Sequence, residues 1–485
     1  MRLMPNQVLC ISGFMALILL MVALPVQAQV THVEELQYPP LPELVIPESE
    51  RVVLENGMVV LLMEDHELPL ISLSAFIRTG SRLEPQDKIG LASLTGTVLR
   101  TGGTTKQSGD ELDEFLEGKA AMIETSIGRT AGTASMSCLK EDFPAVLEIF
   151  GDILRTPAFA PEKLKIAKNQ MMASIARQND NPGGIVSREF RKLIYGKTSP
   201  YTWVPTYATV LSLTQKDLVR WHQTYFHPNR IILGLVGDFQ KDQAVTLLKK
   251  VFGDWQKGPE ANDPEASIQA KSSAGVFYVE KNDMTQAKIV MGHQGIRRDH
   301  PDYFSLVIVN QILSGSFGAR LFSNIRSKQG LAYDVYGGVG LQWDYPGTSL
   351  LSMSTKTETT GKGIDALIAE SRRMVSEPPS EDEVAKAKAS ILNSFVFSVD
   401  SLSKVLGKYL TYEYYGYPST WLKDFRKGIE QVTAAQVRKA AERHLRPQDF
   451  AILVVGPREG TKSAMDRYQQ VQELDIRIPD PPSGA

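Results

Sequence analysis

Seven histidines, two cysteines and one short Ser/Gly run are the residues of this 485-residue chain whose types could carry chemistry unaided. Their spacing excludes most familiar sites. There is no G-x-x-x-x-G-K-[ST] phosphate loop, no G-x-G-x-x-G turn, no H-E-x-x-H helix and no pair of C-x-x-C knuckles. His32, His66, His222, His227, His293, His300 and His444 include no close pair with an acidic neighbour in a metal-ligand arrangement. His222 and His227 come nearest, at a helix end and its proline turn, where a structural role is expected. Ser314-Gly315-Ser316-Phe317-Gly318 approaches a G-x-S-x-G nucleophile elbow, and an acid followed by His444 would supply the hydrolase order. The first glycine is missing, however, and the preceding YFSLVIVNQIL has helical rather than strand spacing. The run therefore reads as a glycine-rich turn between helices, not as a nucleophile.

The elements that must position any site are those of a folded, near-neutral protein. Fifty-three Lys+Arg against 55 Asp+Glu leave a formal net charge of −2, with 42% hydrophobic and 22% charged residues. No positive field is present to bind nucleic acid without sequence preference. At the start, Arg2 precedes an apolar run from Val8 to Leu24, and Val26-Gln27-Ala28 has small or apolar residues at the −3 and −1 positions. A signal peptide over residues 1–28 is expected, cleaved after Ala28, an uncleaved membrane anchor being the alternative; cleavage leaves Cys138 alone and no internal disulfide. The expected location is the periplasm, with no stable membrane insertion after cleavage.

Internal similarity organises the rest. Leu213 to Phe239 aligns without a gap on Val432 to Pro457, so that Thr214 and Thr433, Pro228 and Pro447, and Gly237 and Gly456 each differ by 219 positions. Ala167-Lys168 and Ala387-Lys388, like Tyr195-Gly196 and Tyr415-Gly416, differ by 220. Each long segment reads as a capped helix, a proline turn and an apolar strand. A duplicated unit follows: an extended arm at 29–48, a first domain at 49–256, a linker at 257–273, a second domain at 274–470 and a tail at 471–485. Within the first unit, VVLENGMVVLLME turns at Asn56-Gly57 as a hairpin, and a helix runs from Gly90 to Arg100. A second helix lies near Gly109 to Ala120, followed by a hairpin in IETSIGRTAGTASMSCL and two or three helices between Asp142 and Gln223. Strands grouped with strands and helices with helices predict an α+β fold of two tandem homologous domains, each an antiparallel-rich sheet packed with helices.

The segments NGMVVLLMEDHELPLISLSAFIRTGSRLEP, GLASLTGTVLRTGGT and LSGSFGARLFSNIRSKQGLAYDVYGGVG, with the duplication, resemble the insulinase/pitrilysin family of zinc peptidases, in particular the mitochondrial-processing-peptidase branch. The resemblance runs over residues 48–470 and implies domains that pair as a clamshell around an unstructured peptide. In that family the helix after Gly-Leu-Ala carries H-x-x-E-H, with a further Glu downstream. Here, after Gly90-Leu91-Ala92, the histidine positions are Ser93 and Thr97, the general-base position is Gly96 and the distal ligand position falls near Ser174. Neutral hydroxyls are poor zinc ligands, so no metal is expected on this chain.

The resemblance also assigns an Arg and a Tyr seven residues apart to substrate and transition-state contacts, and Arg326 and Tyr333 stand at that spacing. Donors placed against a developing oxyanion are worth about 3 to 4 kcal/mol each. The bland alternative has Arg326 complementing a helix C-terminus and Tyr333 filling core. Gly330 should end the helix, with Tyr333 and Val335 sharing one strand face. Met122, Ile123, Glu124, Thr125 and Ser126 align with the family's peptide-binding edge strand, an ordinary inner strand being the alternative. The turn holding Gly315 and Gly318 resembles the family's loop linked to substrate entry, close helix packing being the alternative. The expectation is a zinc-free, non-catalytic subunit of a heterodimeric zinc peptidase. A homologous partner would hold the zinc and H-x-x-E-H, while this chain supplies Arg326 and Tyr333. The alternative is a pseudo-peptidase scaffold without a role in proteolysis.

Overall fold

The computed structural model describes residues 44–260, 263, 267–269 and 272–481. The expected signal peptide, most of the arm and part of the linker lie outside them. Among the described residues the strands form two six-stranded sheets and one two-stranded sheet. The first sheet holds β1 (Glu50–Val53), β2 (Val59–Glu64), β3 (Leu70–Ile77), β4 (Met122–Ile127), β5 (Gly132–Leu139) and β6 (Ile231–Gly237), in the order β1-β2-β6-β3-β5-β4. The second holds β7 (Gly275–Glu280), β8 (Gln286–Gln294), β10 (Val335–Gly338), β12 (Thr348–Lys356), β13 (Ala451–Gly456) and β14 (Val471–Glu473), in the order β10-β12-β8-β13-β7-β14. The short β9 (Ile296–Arg297) and β11 (Leu341–Gln342) pair with each other.

Five strands match in order and sense. β2 lies parallel to β6, which is antiparallel to β3, itself antiparallel to β5, with β4 at the edge; β7, β13, β8, β12 and β10 repeat this. Each sixth strand is recruited differently. β1 folds back on β2 through the Asn56-Gly57 turn, with Gly57 at φ +86°. β14 comes from residues that the sequence reading assigns to a tail, and it pairs parallel with β7.

The aligned punctuation marks perform the same tasks in both copies. Thr214 and Thr433 both cap 11-residue helices with reciprocal side-chain and backbone bonds, and a one-turn 3-10 segment at Pro228 or Pro447 leads each into its strand. Lys168 donates to the Leu211 and Leu213 carbonyls, and Lys388 donates to that of Glu430. Tyr195 and Tyr415 are reciprocal. The Tyr195 hydroxyl bonds Thr348 Oγ1 at the start of β12, and the Tyr415 hydroxyl bonds Thr130 Oγ1 just before β5.

The two copies thus exchange helices. Ile185, Phe190 and Leu193 of the Pro182–Tyr195 helix bury against Phe277, Val290 and Leu453 of the second sheet. The Leu402–Tyr415 helix lies on the first sheet, where an added Cβ at Gly234 would come 2.6 Å from Leu410. β6 and β13 are consequently buried on both faces, which explains their unbroken apolar runs. Described parts of the 257–273 stretch are held down: Asn229 bonds Gly258 and Pro259, Asp263 pairs with Arg230, and Gln269 donates to Leu193 and Ile194 carbonyls. Between Asp142 and Tyr225 there are five helices rather than two or three: Phe143–Arg155, Pro161–Ala176, Pro182–Tyr195, Tyr207–Ser212 and Gln215–Tyr225. Asn181, Thr206 and Thr214 cap three of them, so short polar stretches that resemble loops are helix starts. No helix among the described residues is long and apolar enough to cross a membrane.

Candidate functional site

The degenerate zinc-motif positions lie on the Leu91–Thr101 helix, which packs against β4. Its N-cap, Gly90, sits at φ +105°, and the buried Glu84 carboxylate accepts from Gly90 N at 3.2 Å and Ala92 N at 2.7 Å. Burial pushes the Glu84 carboxyl up to about 7, and those two backbone donors only partly offset the loss of solvent. Ser93 and Thr97 are exposed on one face, one turn apart. The Thr97 hydroxyl donates to Ser93 O at 3.1 Å and Thr101 to Thr97 O at 3.0 Å, so these hydroxyls fold back on their own helix. Ser174 does the same to Gln170 O at 3.0 Å.

Gly96 seals the general-base position. A Cβ there would stand 2.4 Å from Ile127 N and 2.8 Å from Ser126 C, while Thr125 Oγ1 donates to Gly96 O at 2.7 Å. No glutamate fits without moving the helix off the strand. The donor set does not fit zinc: two back-bonded hydroxyls, a glycine and a third hydroxyl offer neither an imidazole nor a carboxylate.

Among the described residues β4 lies at the edge of its sheet, paired with β5 alone. Met122, Glu124 and Ser126 are exposed, Ile123 and Ile127 enter the core, and Thr125 turns toward Gly96. The Ile123 carbonyl is already taken by Arg100 Nε at 3.1 Å, and Arg100 also binds Asp113.

In the second half, the Tyr303–Ser314 helix packs on the equivalent edge strand, β10, with Asn310 bonding both N–H and C=O of Val339 and Ser314 donating to Gly337 O. Gly315 closes that helix through Gln311 O, and Gly318 lies open in the following turn. Residues Phe322–Lys328 then form a π-helix, where an ordinary helix is the sequence expectation. Gly330 ends it at φ +64°, with its N–H on Arg326 O. Tyr333 stands in the bend before β10 and is 75% exposed, whereas Val335 is buried, so the two do not share a strand face. Tyr333 is not core. The Arg326 guanidinium lies 4.5 Å from the centre of the Phe322 ring and 5.2 Å from that of Tyr333. Phe317, 80% exposed, meets Phe322 edge-on at 4.9 Å. An aromatic ladder thus holds the guanidinium at the surface with no acidic partner among the described residues.

One cluster escapes sequence reading. His300, Asp302 and His444 converge, with ligand atoms within 4.8 Å of one another, correcting the expectation that no histidine pair shares an acidic neighbour. His300 and Asp302 are two apart, a local signal, but His444 arrives from the distant Ala434–His444 helix. As it stands the cluster is already paired within itself. His444 Nε2 and Arg443 both bond Asp302 Oδ2, at 2.8 and 2.6 Å, and Arg443 puts positive charge where a cation would sit. His444 is therefore engaged away from Ser316. His222 bonds Leu154 O at 2.8 Å, and burial lowers its pKa to about 4, which makes it a neutral core donor. The Cys138 thiol is buried and pushed up to about 12, hence inert.

Two similar α+β halves, the first with its zinc-motif positions emptied of ligands and the second with an exposed Arg/Tyr pair, define a peptidase-like protein. Residues 59–199 match the family model described as Insulinase (Peptidase family M16), and residues 212–391 match that of the Peptidase M16 inactive domain. A Bacillus subtilis protein named Uncharacterized zinc protease YmxG is 23% identical over 421 residues, 84% of this chain and 98% of its own. A Helicobacter pylori protein named Non-peptidase homolog YmxG is 22% identical over 409 residues, 83% of this chain and 93% of its own. The crystal structure of a peptidase M16 inactive domain from Pseudomonas fluorescens superposes with a TM-score of 0.77 at 26% identity, covering 85% of this chain and 98% of that one. The chain belongs to the insulinase family, peptidase family M16, as a member whose zinc-ligand positions carry no ligand.

Proposed function

We propose that this protein is the zinc-free subunit of a periplasmic two-chain peptidase acting on unstructured peptides. A homologous partner would bring the zinc and its ligands. The observation that carries this reading is the contrast between the halves. The first-half site is closed by Gly96 against Ile127, while the second half holds Arg326 against the exposed Tyr333 with no acid paired to it among the described residues. A phenol and a guanidinium so placed can donate to a substrate carbonyl as its oxygen gains charge. The open edge of β4, with Met122, Glu124 and Ser126 outward, offers main-chain groups to an extended peptide. The leader-like residues 1–28 support the periplasm.

Reconstitution tests this. The protein and the homologous subunit that co-purifies with it are assayed apart and together on an unstructured peptide. Cleavage in the mixture alone supports the shared site. Cleavage by the partner at an unchanged rate without this chain leaves the scaffold reading instead.

A further inference from the structure

The second half holds an open cavity of about 560 Å³ whose lining includes no residue of the zinc-motif helix and neither Arg326 nor Tyr333. Its volume is that of a small-molecule site. The walls are aromatic, with Trp343, Tyr412, Trp421 and Phe425 among them, yet two cations face in: Arg298 and Lys408. No aspartate or glutamate lines it.

The two cations are held differently. Arg298 is fixed, with Nε on Leu341 O at 3.1 Å, Nη1 on the Tyr303 hydroxyl at 3.2 Å and its guanidinium 4.2 Å above the Trp343 ring. Lys408, on the Leu402–Tyr415 helix, has no hydrogen bond or ion pair among the described residues. Burial and the neighbouring Arg298 both lower its pKa, the signature of an ammonium lacking a counter-ion. Two half-buried positive charges lining one cavity are unfavourable unless an anion joins them. Two cations with no acid among the lining residues match an anion, and the aromatic walls match an apolar body. A bare phosphate would leave those walls uncovered.

We propose that this cavity binds a small carboxylate carried on an apolar, ring-sized body, with the carboxylate between Lys408 and Arg298 and the body against Trp343, Trp421 and Phe425. The site is independent of the proposed role in proteolysis.

The test is calorimetric titration of the full protein with 2-naphthoate, with 2-naphthamide as the neutral isostere and inorganic phosphate as the bare anion. Saturable 2-naphthoate binding at least about ten-fold tighter than either control is expected. Lys408→Met should abolish that preference while leaving 2-naphthamide unchanged, and Lys408→Arg should keep it. Equal affinity for 2-naphthoate and 2-naphthamide, or 2-naphthoate binding unaltered in Lys408→Met, overturns the proposal. Should Lys408→Met fail to fold, the wild-type preference decides alone.

Discussion

The guanidinium of Arg326 rests on the ring of Tyr333, 5.2 Å from its centre, while the Tyr333 side chain stays 75% exposed. The stack needs the ring, and chemistry would need the hydroxyl. Tyr333→Phe should therefore leave stability within about 0.5 kcal/mol but lower kcat of the two-chain enzyme by about 100-fold, the usual loss for one oxyanion donor. Denaturant unfolding and steady-state kinetics on the same preparation separate the two.

At Gly96 the balance is steric. With Ile127 N 2.4 Å from the site of a Cβ, Gly96→Glu must part the Leu91–Thr101 helix from β4. A loss of about 3 kcal/mol is expected, at the upper end for overpacking. Installing histidines at Ser93 and Thr97 as well should not rescue it. Urea unfolding reads the loss directly, and a stable, zinc-binding triple variant would contradict the sealed site.

Two buried groups should give opposite pH slopes. Glu84 keeps its proton in the folded state up to about 7, against an ordinary value of 4.5, so its contribution to stability is lost as pH rises between those values, by about 3 kcal/mol. His222 titrates near 4 when folded against 6.5 unfolded, so stability is lost as pH falls from 6.5 toward 4, by a similar amount. Relative to wild type, Glu84→Gln should therefore make the protein more acid-sensitive. His222→Gln, which retains a donor for Leu154 O, should make it less so. Unfolding free energies measured from pH 4.5 to 7 check both signs.

The turn before each edge strand carries one left-handed residue, Gly330 at φ +64° before β10 and Ala120 at φ +47° before β4. Ala120 is exposed, and a Cβ at Gly330 would meet nothing within 4 Å, so only backbone preference is at stake. Ala120→Gly should stabilise by about 1 kcal/mol and Gly330→Ala destabilise by about the same. Thermal unfolding of both variants reads the pair of shifts.

The duplication was legible in the sequence because Thr214, Thr433, Pro228 and Pro447 are punctuation whose chemistry is local: caps and turns act within a few residues. The emptied motif at Ser93, Gly96 and Thr97 was legible for the same reason. What lay beyond reach depends on distant partners. Nothing near Gly96 announces Ile127, nothing near His300 announces His444, and the partnering of Val471–Glu473 with β7 follows from an open sheet edge rather than from its own residues. The placement of Tyr333 failed by two residues, because the π-helix absorbs one turn differently and the chain enters β10 only at Val335.

The most direct test of a zinc-free subunit is to reconstitute the active two-chain enzyme, separate the chains and quantify zinc on each. The account predicts one zinc on the homologous partner, none on this protein, and cleavage only when the two are recombined. Zinc retained by this chain, together with peptide cleavage in the partner's absence, would contradict it.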